Sequence, residues 1–479
     1  MLYRRKMPVR MRINGLMIDC SRLLEPQRYY YKLLEFMAQW KMNTLLLHFS
    51  DDYGCALQLP GFRHLAMPRA FSMGDLMKLI EFAQSRGIDV IPELETFGHT
   101  RYITDHPRYQ HLFAGRQTKD LRFNAIAPLH PETHELMRQL IASVARVFPS
   151  RYLHLGCDEV DLKRYCQQRG LEVKDVWTEY VNRMIELAHQ VGKTPMIWAD
   201  HVARDDDIAQ RLRKDVVLVD WRYEDDVEDY ALARLKQAGF RELLVAPALA
   251  CYRHRFLPTA QALENTARMA IFAKRHKTAG IINTIWCPWR YLQNAMYYGI
   301  AYSACAARWG NRPSKRQFNR RFARQVFDTG LLPALESFLE SWTQLAIDST
   351  LAGKIVQRRP TFTQEEVQRL RMVNRLGKQA LLVAPDYSPR ANRDIWQGMV
   401  LAAQCAWLCS EGMLLRLLSF PASERKVRYN RLLDEVRREM DAEWNRTRYP
   451  DDPQKMRTLF PGHGHQYAML LLKKLPRGY

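Results

Sequence analysis

None of the nine cysteines in this 479-residue chain is spaced as Cys-x-x-Cys; they fall singly at 20, 55, 157, 166, 251, 287, 305, 405 and 409. Zinc ribbons and thioredoxin-type redox sites therefore find no support. Scattered thiols in a large chain point to free cysteines in a reducing compartment. Long apolar runs are also missing. The longest, around Met399 to Cys409, is interrupted by Gln404 and is too short to span a bilayer. The basic start Met1-Leu2-Tyr3-Arg4-Arg5-Lys6 is not followed by the apolar stretch of a secretory signal. A cytoplasmic protein without membrane contact is the expectation. There is no glycine-rich nucleotide loop, no internal repeat and no low-complexity segment. Acidic residues are few: 51 against 72 basic ones leave a net charge of +21. Such an excess suits nucleic acid or an anionic surface. The bases are spread along the chain, however, with only a modest cluster from Arg425 to Arg448, and no nucleic-acid motif accompanies them. General arginine richness on solvated helix faces accounts for the charge, and nucleic acid is not the expected partner.

What is present is an alternation. Apolar runs at Ile13–Cys20, Thr44–Phe49, Asp89–Leu94, Tyr152–Cys157, Pro195–Ala199, Val216–Asp220, Glu242–Ala246 and Gly280–Trp286 read as strands. Their continuous apolar character suits strands covered on both faces. Amphipathic stretches lie between them, near 27–40, 73–86, 132–148, 175–191, 205–213, 229–238, 259–277 and 293–307. Eight βα units predict a (β/α)₈ barrel, an α/β fold, over residues 12–310. Beyond Gly310 the pattern turns helical, at 316–327, 332–347, 363–383, 392–418 and 424–445, with Pro360, Pro385 and Pro421 as punctuation. Residues 311–479 are accordingly expected to form an all-helical C-terminal domain or extension.

His154-Leu155-Gly156-Cys157-Asp158-Glu159 closes the fourth strand with two adjacent carboxylates. Strand alternation would put His154, Gly156 and Asp158 on one face, with Glu159 turned toward the same cleft just beyond the end. Gly156 leaves room for a close approach. Two carboxyls in one pocket cannot both ionise cheaply, so one should keep its proton at neutral pH. The plain alternative is a helix N-cap Asp followed by a first-turn Glu. The other strand ends are polar and aromatic as well. They carry Asp19 and Arg22; His48, Asp51 and Asp52; Glu93, Glu95 and His99; Trp198 and Asp200; Asp220, Trp221 and Tyr223; Tyr252; and Trp286 and Trp289. In a barrel all of these face one rim. Aromatic platforms beside paired carboxylates suit a sugar ring, which needs both apolar faces and polar partners.

Four stretches recur in an order that is familiar: Gly15 to Arg22, Met42 to Asp52, Ile91 to Thr100, and His154 to Glu159. Together they resemble the β-N-acetylhexosaminidases of glycoside hydrolase family 20. The wording of Thr96-Phe97-Gly98-His99 and Gly156-Cys157-Asp158-Glu159 is most similar to the compact intracellular branch of that family. The resemblance implies a retaining exo-hydrolase whose nucleophile is the substrate's own 2-acetamido group, an exception to the two-carboxylate scheme. It implies Glu159 as general acid, with a raised pKa, and an ionised Asp158 that orients the acetamido N–H. His99 and Asp51 match the pair that tunes the acid, and Arg22 matches the group that grips sugar hydroxyls. Trp198, Trp221 and Trp286 resemble acetamido-pocket walls, and Tyr252 the tyrosine that bonds the acetamido oxygen. Asp200, Tyr223 and Trp289 join them as rim residues for the sugar.

The expected partner is a glycan with terminal β-N-acetylhexosamine; no cofactor or metal is implied, and a homodimer stays open as the assembly. Two departures stand out. Pro288 occupies the place where the family usually carries a glutamate for the far side of the ring, which leaves gluco against galacto undecided, with Trp289 or Arg290 as replacements. Cys157 replaces a commoner glycine and should point away from the site. Three rival readings remain: a non-catalytic sugar-binding barrel, a metal-dependent hydrolase using the scattered His and Asp, and an anionic-polymer binder. Retention of Asp158, Glu159, His99 and Asp51 argues against the first, and the lack of a His-x-His or other ligand signature against the second.

Overall fold

The structure is a computed structural model that describes residues 11–115, 124–251, 256–347, 351, 354, 361–417 and 424–450. By internal packing the chain divides into two units. The first comprises residues up to 247 with 267–284 and 306–311; the second comprises 248–266, 285–305 and everything from 312 onward.

The first unit holds a closed parallel barrel. Its strands are β1 (Ile13–Asp19), β2 (Thr44–His48), β3 (Asp89–Glu93), β4 (Tyr152–His154), β5 (Thr194–Trp198), β6 (Val217–Trp221), β7 (Leu243–Ala246) and β8 (Gly280–Ile285), paired in chain order, with β8 returning to β1. Their residues are almost all buried, as the unbroken apolar runs require. Helices such as Gln27–Gln39, Met73–Ser85, Pro131–Val147 and Val173–Gln190 follow successive strands and bury one apolar stripe each.

Register explains the site. Asp19 pairs with His48, His48 with Glu93 and Glu93 with His154, so four polar side chains from four strands stand at one level near the strand ends. A small ribbon of Ser50–Asp51, Gly54–Leu57 and Ala66–Phe71, which the strand pattern did not announce, folds between β2 and β3 and carries the Asp51-Asp52 corner.

The described residues of the second unit from 312 onward are helical, with Lys315–Phe327, Pro333–Trp342, Gln364–Val383, Arg393–Leu417 and Glu424–Thr447. Thr363 and Glu366 form a capping box that starts the third of these. Tyr298, Phe318, Phe322 and Trp342 meet edge to face in its core. The helix Arg393–Leu417 extends well past the apolar run that flagged it. By length and composition it could cross a bilayer, but 83% of its most apolar window is buried. All nine cysteines are buried, and none of them is in a disulfide among the described residues.

Candidate active site

The acidic stretch departs from the expected strand. β4 ends at His154, not at Cys157, and the next residues leave extended geometry: Gly156 has φ 68°, Cys157 75° and Glu159 49°. The cause lies next door. A Cβ on residue 156 would sit 1.8 Å from Glu95 Oε2, and one on Gly98 would sit 2.3 Å from the Asp158 carbonyl. Only glycine lets the β3 and β4 loops close on each other at these points. Strand alternation therefore does not place Asp158; a left-handed loop does. Cys157 points away, as expected, with its thiol toward Leu155 O and Thr96 Oγ1.

That loop brings Asp158 and Glu159 to one imidazole. His99 Nε2 lies 3.9 Å from Asp158 Oδ2 and 3.5 Å from Glu159 Oε2. Its Nδ1 is held by Asp52 Oδ2 at 2.9 Å and stands 3.8 Å from Asp51. The direct partner of His99 is thus Asp52, not the Asp51 that the resemblance suggested. Asn124, absent from the sequence-based set, donates to Asp52. Asp51 serves Arg22 instead, at 2.7 Å, and His48 at 3.1 Å. Arg22 is also fixed by Asp19 at 3.0 Å. The chain continues from His48 to Glu93 (2.9 Å) and from Glu93 to the Trp198 indole (2.7 Å). Trp198, 1% exposed and packed on His154, belongs to this buried floor. Asp200 accepts a hydrogen bond from the Glu159 N–H at 3.3 Å. Trp221 and Tyr223 lie against each other, ring centres 5.2 Å apart. Tyr252 lies outside the described residues. Trp286 and Trp289 belong to the second unit, with Trp289 buried in the turn Pro288–Arg290.

The charge states reverse the expectation. Burial raises the Asp158 carboxyl to about 8; His99 opposes this while Asp200 and Glu159 add to it. Glu159, 61% exposed on its side chain, is lowered, first by its contact with His99 and against what burial it has. His99 itself is raised well above the ordinary range: burial works against its charge, but Asp52, Asp51 and Asp158 outweigh it. Asp51 goes the other way, because Arg22, His99 and His48 overcome the cost of its burial. Burial thus favours a proton on Asp158 while His99 favours an ionised Glu159, and such a proton belongs to the pair as a unit. Two triads, His48-Glu93-Glu95 and Asp51-Asp52-His99, place possible metal-ligand atoms within 4.8 Å of one another. In each the imidazole is already engaged by a carboxylate at 2.9 Å.

A carboxylate pair on a barrel loop, served by a His–Asp relay and an anchored arginine, is the equipment of a sugar-cleaving barrel. The chain belongs to glycosyl hydrolase family 20: the family's catalytic-domain model matches residues 12–279, more than half of the chain.

Among individual proteins, it is 27% identical over 254 residues to the β-hexosaminidase subunit beta of Homo sapiens, covering 49% of this chain and 44% of that one. It is 28% identical over 256 residues to subunit alpha of Bos taurus, covering 49% and 47%. The chain thus spans less than half the length of these relatives. In fold it is similar to an exo-β-N-acetylglucosaminidase of Vibrio harveyi (TM-score 0.52, 21% identity, 64% of this chain and 55% of that one). It is also similar to a chitobiase of Flavobacterium johnsoniae (TM-score 0.53, 14% identity, 89% and 75%).

Proposed function

We propose that the protein is a retaining exo-β-N-acetylhexosaminidase that releases terminal N-acetylglucosamine, N-acetylgalactosamine or both. The observation that carries this is the convergence of Asp158 and Glu159 on one face of His99, with Asp52 behind it. Asp158 accepts the acetamido N–H and turns the amide oxygen toward the anomeric carbon. Glu159 gives its proton to the departing oxygen, and the amide closes an oxazolinium ring whose charge Asp158 balances. Water, with its proton taken by Glu159, opens that ring with retention.

The proton must first change places. A sugar over the loop removes water from Glu159 and offers Asp158 a hydrogen-bond donor, which favours a neutral Glu159 and an ionised Asp158. The proton count of the pair does not change. Arg22, fixed by Asp19 and Asp51, binds hydroxyls of the terminal ring, while Trp221 walls the acetamido pocket above the buried floor that holds Trp198.

The loop wording supports the compact intracellular branch, and nine buried cysteines outside any disulfide support a reducing, cytoplasmic setting. The test is hydrolysis of aryl N-acetyl-β-glucosaminide and galactosaminide beside a plain β-glucoside, with the product anomer read by NMR. Turnover of the first two with retention is expected. Equal cleavage of the plain glucoside, or inversion, defeats the proposal.

A further inference from the structure

The turn and helix directly after β5 add two contacts to the acid-bearing loop that the chemistry above leaves unused. Two non-glycine residues there, Cys157 and Glu159, have left-handed backbones. Such conformations relax unless their surroundings over-determine them. Here successive amides are tied down. The Glu159 N–H donates to Asp200 Oδ2 at 3.3 Å, and the Val160 N–H donates to His201 Nε2 at 3.2 Å. The His201 ring rests on Trp177, centres 5.1 Å apart and planes 34° apart. An amide N–H can only donate, so Nε2 of His201 is the bare nitrogen and the ring proton sits on Nδ1.

We propose that Asp200 and His201 form a clamp that positions Glu159 through its backbone, and that protonation of His201 opens it and contributes to the acidic limit of turnover. This rests on the assignment of Glu159 as general acid; His201 touches no substrate and is a positioning residue. The charged groups facing the ring are Asp200 (3.7 Å) and Arg204 on its own helix, and Glu159 from the loop. Burial, the largest influence, lowers the His201 pKa, with Arg204 assisting and Asp200 and Glu159 opposing. The accepting form thus persists through neutral pH. Below its titration Nε2 carries a hydrogen, and two donors face each other across the Val160 contact.

The experiment measures kcat and KM for an aryl N-acetyl-β-glucosaminide or galactosaminide across acid to neutral pH. It compares the wild type with His201→Phe, His201→Gln and a Glu159→Gln control. His201→Phe keeps a ring on Trp177 but has no acceptor, so kcat should fall roughly ten- to hundredfold with KM within about twofold. His201→Gln offers an amide oxygen near the Nε2 position and should recover most of kcat. Its acid limb should move to lower pH, because an amide does not titrate. A structural role alone would lower the melting temperature of both variants and leave the pH limbs where they were; that result overturns the clamp. Should His201→Phe fail to fold, an unmoved limb in His201→Gln overturns it equally. Wild-type turnover abolished by Glu159→Gln but indifferent to His201→Phe sinks the clamp alone. No wild-type turnover, or full turnover in Glu159→Gln, sinks the functional reading and the clamp with it.

Discussion

Glu411 of the helical unit and a few carboxylates of the barrel unit are buried in opposite ways, although Asp51 and Glu93 of the barrel are answered too. In the helical unit Glu411 is buried, yet both its oxygens are answered. Asn374 donates to Oε2 at 2.7 Å, Arg425 reaches Oε1 at 2.9 and 3.0 Å, and Lys378 stands 3.8 Å away. In the barrel unit Asp158 Oδ1, Asp200 Oδ1 and both side-chain oxygens of Glu95 are buried with no hydrogen-bond partner among the described residues. A satisfied carboxylate ties helices together, whereas an unsatisfied one costs free energy that a ligand can recover. The contrast separates a group that holds the fold from groups whose hydrogen-bonding capacity is unspent.

The largest effect tests that separation at the pair itself. Glu159→Gln should lower kcat by about 10²–10⁴-fold while the melting temperature stays near that of the wild type, because the side chain is largely solvated. Near-normal turnover in that variant would remove Glu159 from the chemistry.

Gly156→Ala comes next. It adds a Cβ where φ is 68° and where Glu95 Oε2 lies 1.8 Å away. A left-handed backbone and an overpacked contact together should cost about 2–4 kcal/mol, read by chemical denaturation. Adding Glu95→Ala should return the part due to the clash and none of the part due to backbone. A double-mutant cycle without coupling would show that the two loops do not meet as described.

The helical side of the comparison predicts a purely structural loss. Asn374→Leu strips Glu411 Oε2 of its donor and should cost about 1–3 kcal/mol, with kcat unchanged wherever the variant is folded. A fall in kcat at full occupancy of the native state would mean that Glu411 is no mere tie between helices.

Much of this was legible in the chain. Apolar runs located every barrel strand to within a few residues, and the helix read over 363–383 starts where expected, on a capping box of Thr363 and Glu366. Pattern failed where geometry is set by contacts distant in sequence. The β4 loop turns left-handed because of Glu95, 61 residues before Gly156 in the chain, which no local signal encodes. Two neighbouring aspartates at 51 and 52 look alike in sequence. The ribbon that carries them turns Asp52 toward His99 and Asp51 toward Arg22. Asn124 and His201 sit in no periodic run, and both matter only once the loops they meet are placed. The protonation order was misjudged for the same reason: adjacency shows that two carboxyls compete for a proton, while burial decides which keeps it.

That order makes the smallest and most diagnostic prediction. With its native pKa raised to about 8 by burial, Asp158 keeps a proton that the unfolded chain has lost above about pH 4. The unfolded state then binds fewer protons than the native one, so stability falls as pH rises between those values, by at most about 1.4 kcal/mol per pH unit from this group. His99, raised as well, adds a loss in the same direction as pH climbs through its native pKa. Asp51 acts oppositely: its lowered pKa supplies stability above the ordinary carboxylate range that disappears as pH falls. Replacing Asp158 by Asn removes the first of these and weakens the second, which Asp158 helps to raise. The variant should therefore gain on the wild type in melting temperature from pH 5 to pH 8, while losing turnover at both. An equal difference at the two pH values would mean that Asp158 is ionised in the native protein. The barrel carboxylate would then hold its charge unanswered, and the distinction from Glu411 would have to rest on geometry alone.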